Sequence, residues 1–533
     1  MLPAKQVCAV LALVTASHIA YPQHTHDSPS SVPNYFKVPM PLLPKALGKF
    51  ARPISSSNRE AQAYFNQGFQ LEYAFDKVDA IRSFREAEKR DKDCAICYWG
   101  EAWAWGSYLN GPMQPNEAPF ALAAIRKARH LAAHHASVEE RALINAMSVR
   151  YVERFDPEKR REQDIPYAEA MRKVHEKFPQ DLDIGTLYGE ALFLLEPRRG
   201  SRDIHSPNVQ RILGVFEGVL AIDGRHIGAC HLYIHLTEGT TEPGRAEACA
   251  DSIGNAIPGA SHINHMPSHT WNRLGRWGDS VRANIQAWHS DQKAAIGEAF
   301  AIYPSHNLHM LLFAASMDGQ GAIAIQAARD YDKMEGDHVY PILTWIRFGR
   351  FDEVLELTKP PEERNAAAVW NFGQGYARLR KGDKDAARVS LKRLLDAAAT
   401  ASGTFRFNSA RNVLGTLSGI LEGEIYRAGG DLERAITAFQ HAVAEEDAMM
   451  YDEPEPLPFS ARHWLGAALL EAKEYANAER VYREELKNHP HNGWSLFGLR
   501  AALEGQDRPS VDVEKDFEAS WARSDTWIRA SRF

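Results

Sequence analysis

Two short runs of this 533-residue chain carry side chains whose types and spacing suit chemistry. The first, Cys230 to Glu238, places His231, His235 and Glu238 at offsets of 0, 4 and 7. The second places His262, His265 and His269 at offsets of 0, 3 and 7. On an α-helix such offsets bring side chains to one face, a turn apart. An i,i+4 imidazole pair sets two ring nitrogens close enough to share a transition-metal ion. His231/His235 and His265/His269 are such pairs and outrank His262 as ligands. A third pair, His306/His309, follows Tyr303-Pro304-Ser305. Packed as consecutive antiparallel helices, the three pairs would line one cavity. Nitrogen ligands with an optional carboxylate suit a transition metal, copper or zinc above all, better than calcium or magnesium. The plainer alternative is a set of neutral histidines, hydrogen-bonded to one another, that stitch a polar groove without chemistry.

Two carboxylates are candidates for proton transfer. Glu238 lies one turn beyond His235, where it would partner an imidazole or move protons. Glu101 sits in an otherwise apolar helical stretch, as does Glu190. A carboxylate there is a ligand, a group of raised pKa, or, most simply, half of an ion pair with an arginine. Asn110, Tyr233, Asn264 and Asn307 are candidate hydrogen-bonders around the cavity. Trp99, Trp103, Trp105, Trp271 and Trp277 would be pocket walls or, more plainly, core filler.

The elements that must position these groups read as helices throughout. From residue 58 onward apolar residues recur at three and four, and no period-two strand of useful length is found. Gly68, Leu71, Ala80, Phe84 and Ala87 follow the intervals of a tetratricopeptide (TPR) repeat, a helix–turn–helix of about 34 residues. Gly423, Tyr426, Ala435, Phe439 and Ala442 repeat them in register, and so do Gly466, Leu469, Ala478, Tyr482 and Pro490. The small residues let paired helices approach, and the large ones fill the groove between units. The prediction is an all-α, TPR-like solenoid with a degenerate, cavity-forming central part. Its expected divisions are a signal peptide (1–20), a disordered lead-in (21–57), degenerate repeats bearing the histidine site (58–400) and well-formed repeats (401–533). The proline-rich stretch Asp447 to Pro458 is expected to project from the array.

Asp-Cys-Ala-Ile-Cys-Tyr-Trp-Gly-Glu-Ala, His-Leu-Tyr-Ile-His, His-Met-Pro-Ser-His and Ser-His-Asn-Leu-His also carry a resemblance. From residue 58 the chain resembles a family of exported TPR-repeat proteins. The resemblance implies the fold and the export route and brings no settled activity.

Composition bounds the function. An apolar share of 44%, a charged share of 25% and a net charge of −7 describe a soluble globular protein with no electrostatic case for nucleic acid. Lys5, the short apolar run Val7 to Ala16 and the small residues after it read as a cleavable signal, implying a secreted or periplasmic protein. No stretch is apolar for long enough to span a membrane. Cys94, Cys97, Cys230 and Cys249 are then two disulfides, free buried thiols or, for Cys94/Cys97, a redox or metal pair; spacing leaves these open. Walker-type loops, dinucleotide fingerprints and Gly-x-Ser-x-Gly elbows are absent from the sequence, so phosphoryl transfer, hydride transfer and common serine hydrolysis are not expected. Two functions stay in view. One is a metal-dependent enzyme that oxidises or hydrolyses a small organic substrate. The other is a scaffold holding a peptide or protein in the groove of the repeats.

Overall fold

Helix follows helix from Arg59 to Trp521, and among the described residues the only strands are the two-residue pair Thr404–Phe405 and Asn408–Ser409. The computed structural model describes residues 34–533, so the expected signal segment lies outside the described residues. The described residues form one unit.

The first repeat shows how local sequence sets the pattern. Asn58 caps Arg59–Tyr73 by accepting from the Glu60 and Ala61 amides, and Asp76 caps Lys77–Arg90 through the Asp79 amide. A Cβ on Gly68 would stand 2.9 Å from the Phe84 ring, one on Gly423 2.4 Å from Phe439, and one on Gly466 2.4 Å from Tyr482. The glycine–aromatic pairs read from spacing are therefore the points where the two helices of a repeat touch.

The apolar core falls into two clusters, one from Phe36 to Ile302 and one from Trp277 to Leu503. The two clusters overlap in sequence between Trp277 and Ile302. Between the clusters regular stacking gives way to the short helices Glu247–Ile253, Ser261–His265 and Pro267–Leu274. Pro267 has no amide proton to continue the ladder, so the histidine run is broken into two helices at that point.

Two expectations are corrected. Residues 34–57 of the lead-in are packed: Phe36, Met40 and Ala46 are buried in the core. The cause is two buried amides on Arg59–Tyr73 that require partners. Gln67 bonds Leu43 N and Pro41 O at 3.0 Å each, and Gln70 bonds Gly48 N at 2.7 Å and Phe50 O at 2.8 Å. Likewise the 447–458 segment does not project. It folds inward, where Arg406 and His269 hold its carboxylates. No helix among the described residues is long and apolar enough to cross a membrane.

Candidate metal centre

The helix Ile227–Glu238 is buried on every side, which its even spread of apolar residues dictates, and its His231, His235 and Glu238 are 3% exposed or less. Facing it are Ser261–His265 and Pro267–Leu274, and the start of Pro304–Met317 closes the third side with His306. Together they assemble two adjacent groups of three imidazoles, His231/His235/His262 and His265/His269/His306, whose ligand atoms lie within 4.8 Å of one another in each group.

Outer bonds orient the rings. His231 Nδ1 donates to the Tyr73 carbonyl at 2.6 Å, an oxygen otherwise left over at a helix C-terminus. Glu238 spans the two groups: Oε1 accepts from His235 Nδ1 at 2.7 Å and Oε2 from His269 Nδ1 at 2.5 Å. Tyr451 donates to the same Oε2 at 2.8 Å, and Glu453 approaches His269 Nδ1 to 3.0 Å. With Nδ1 carrying the proton on His231 and His235, the Nε2 of each turns its lone pair inward, whereas His262 directs Nδ1 to His265 Nε2 at 2.9 Å. There His231 Nε2 stands 3.2 Å from His262 Nε2, His269 Nε2 stands 3.4 Å from His265 Nε2, and His235 Nε2 is buried with no partner. Two nitrogens bound at the usual Zn–N length to one tetrahedral ion are roughly 3.3 Å apart. Phe75, whose backbone adopts φ 63°, lays its ring 4.2 Å from His231 and 5.6 Å from His262, shielding the first group with apolar surface.

Charge is sharply divided among the rings. Burial pushes His231, His262, His265 and His306 well below their ordinary pKa, reinforced by the neighbouring imidazoles, and takes His235 down to about 3. Burial opposes charge on His269 too, yet Glu238 and Glu453 raise it to about 10. Both carboxylates stay below their usual range despite burial; His269 holds Glu238 there, and holds Glu453 against the repulsion of Glu238. The centre is one imidazolium between two carboxylates, beside five neutral imidazoles.

Several expected site residues fall elsewhere. The pair His306/His309 splits, because His309 is held by partners of its own outside the site. His309 Nδ1 accepts from Arg406 Nη1 at 2.9 Å, its ring lies 4.1 Å from Tyr340, and it belongs to neither group. Glu101 pairs with Arg85 at 2.6 Å and accepts from Trp105 Nε1 at 2.9 Å, the ion-pair alternative rather than a histidine partner. Glu190, raised to about 7 by burial, accepts a hydrogen bond from Trp103 Nε1 at 3.2 Å. Glu238 is in the site, but with both oxygens engaged it acts as an anchor for the rings. Asn264 bonds Gly254 O and Ser290, Asn307 bonds Asp291, and Tyr233 bonds Glu217. Trp99, Trp105 and Trp277 are core.

Residues 420–493 match the family model of the tetratricopeptide repeat. The chain is a TPR-like helical-repeat protein. Its likeness to solved structures is distant. The Cut9–Hcn1 hetero-tetramer of the APC/C aligns at 12% identity over 86% of this chain and 79% of that one, with a TM-score of 0.31. The human IFIT1 dimer with m7Gppp-AAAA aligns at 10% over 88% and 91%, with a TM-score of 0.33. Yeast Tom70 aligns at 11% over 87% and 100%, with a TM-score of 0.28. No curated protein matches the chain.

Within this TPR-like array, spacing alone misses Phe75, Tyr451 and Glu453. Phe75 is a turn residue, and the other two lie in an irregular loop more than 180 residues beyond His269. The one available signal is the acidic run Asp452-Glu453-Pro454-Glu455, unusual between prolines. All four cysteines among the described residues are paired, Cys94 with Cys97 and Cys230 with Cys249. The second bridge ties the helix bearing His231 to its neighbour Glu247–Ile253.

Proposed function

We propose that the protein is an exported metalloprotein whose repeats hold two transition-metal ions, copper or zinc, one on each imidazole triad, to act on a small organic substrate. The convergence of Nε2 atoms inward, with Nδ1 atoms anchored outward on Tyr73 and Glu238, carries this reading. The nitrogens of His231, His262, His265 and His269 approach one another to between 2.9 and 3.4 Å, and His235 Nε2 is buried beside them with no partner, a donor left for an ion. Three nitrogen ligands per ion leave a coordination position open, the arrangement of catalytic rather than structural sites. The choice of all-nitrogen donors favours dioxygen chemistry on copper or water activation on zinc. Two disulfides support an oxidising compartment, in line with the apolar N-terminal run.

Elemental analysis of the purified protein tests the proposal. Two equivalents are expected in the wild type, with His231→Ala and His306→Ala each losing one. Sub-stoichiometric metal that neither substitution changes sinks it, and leaves the groove-binding scaffold as the better account.

A further inference from the structure

A cavity of about 270 Å³ opens onto both triads, lined by His235 of one and His306 of the other. Three arginines and one carboxylate, Glu453, line it. Arg406 and Phe407 form the turn of the Thr404–Ser409 hairpin, and Arg198 and Arg199 come from the loop after Leu182–Phe193. Two of the three cations are already matched. Arg199 pairs with Glu453, and Arg406 with Asp452 at 3.0 Å. Arg198 is not matched: its guanidinium has no carboxylate in ion-pair range and no hydrogen-bond acceptor among the described residues. Arg199 stands beside it and repels it.

One wall is aromatic. Phe407 is 41% exposed, with Arg199 4.1 Å from its ring centre. Tyr303 lines another side. A site with an unmatched guanidinium fork, a flat apolar wall and this volume is complementary to a small organic acid: the carboxylate takes the fork and the body lies on the ring.

We propose that the substrate class of the centre is a small organic carboxylate, anchored by Arg198 at the mouth of the cavity with its body over His235 and His306. This rests on the two-ion reading for its chemistry, but the binding itself belongs to the protein side chains. The probe pair is benzoate and its neutral isostere benzamide, titrated calorimetrically at fixed physiological ionic strength into metal-free and metal-loaded full-length protein.

Benzoate is expected to bind both forms at least tenfold more tightly than benzamide. Arg198→Gln should lower benzoate affinity about tenfold or more, the worth of one charge-assisted contact, and leave benzamide unchanged. Arg198→Lys should restore part of the loss. Arg198 lies on an exposed loop, so metal content and thermal stability of both variants should equal the wild type, which separates lost binding from lost folding. Equal affinities for the two probes, no binding of either, or indifference of benzoate to Arg198→Gln each overturn the proposal while the ions stay. Charge-selective, Arg198-dependent binding in a protein that takes up no metal supports the carboxylate site and overturns the two-ion reading alone.

Discussion

Replacing Glu238 by glutamine removes one charge and almost no volume, and it tests the orientation argument at its weakest point. The carboxylate accepts from His235 Nδ1 at 2.7 Å through one oxygen, and from His269 Nδ1 at 2.5 Å and Tyr451 at 2.8 Å through the other. An amide keeps one acceptor oxygen and turns the other into a pair of donors. Whichever way it sits, one imidazole then meets N–H where it needs an acceptor. If that ring is His235, it must move its proton to Nε2, which takes the inward lone pair away from the proposed ion; if it is His269, the imidazolium keeps only Glu453. The loss of one charge-assisted bond is worth about 1.5–3 kcal/mol, in line with the roughly 10–100-fold cost typical of such outer partners. His235 and His269 belong to different triads. The expected result for Glu238→Gln is therefore two metal equivalents of unequal affinity, one weakened about 10–100-fold and the other within a few-fold of wild type. Titration of the metal-free protein with Zn(II) against a chromophoric chelator near neutral pH reads both. Glu101→Gln is the control and should change neither affinity, because its partners are Arg85 and Trp105. Two wild-type equivalents in Glu238→Gln, with one lost in His235→Ala, would refute the claim that the anchored tautomer sets affinity.

Further outcomes follow from the same geometry. His309→Ala should keep both metal equivalents but lose roughly 1–3 kcal/mol of stability in urea, since it strands the buried Arg406 bond and removes the ring packed on Tyr340. Gly423→Ala should cost about 1–3 kcal/mol, because the new Cβ falls 2.4 Å from the Phe439 ring; unchanged stability would mean that the repeat contact is loose. Glu72 is fully buried and its pKa is raised from 4.5 to about 8, chiefly by burial and then by Glu190. The folded state thus binds its proton more tightly than the unfolded one, so its contribution is complete below 4.5 and declines up to about 8. Glu72→Gln should accordingly gain stability over wild type by about 1.4 kcal/mol per pH unit across that window. Equal denaturation midpoints across the whole range would show that Glu72 is solvated.

How much of this was legible before folding depends on whether the relevant partners are neighbours along the chain. Helical periodicity is local, so the all-α class and the contacts Gly68/Phe84, Gly423/Phe439 and Gly466/Tyr482 could be read from intervals alone. The same holds for His231/His235, where one turn of helix is the only geometry required, while His265 and His269 meet across the break at Pro267. Intervals could not say that His262 completes one triad, that His306 joins the other, or that His309 turns away to Arg406. Those outcomes depend on how three helices meet. The roles of Tyr73, Phe75, Tyr451 and Glu453 were further out of reach, since each acts through contacts far apart in sequence. The amino-acid order by itself determined the repeats and the presence of a histidine-rich centre. Tertiary structure alone decided which ring nitrogens face inward, because a proton's place on imidazole is set by the acceptor on its far side. Here those acceptors are a carbonyl at the end of one helix and a carboxylate held by a loop more than two hundred residues away.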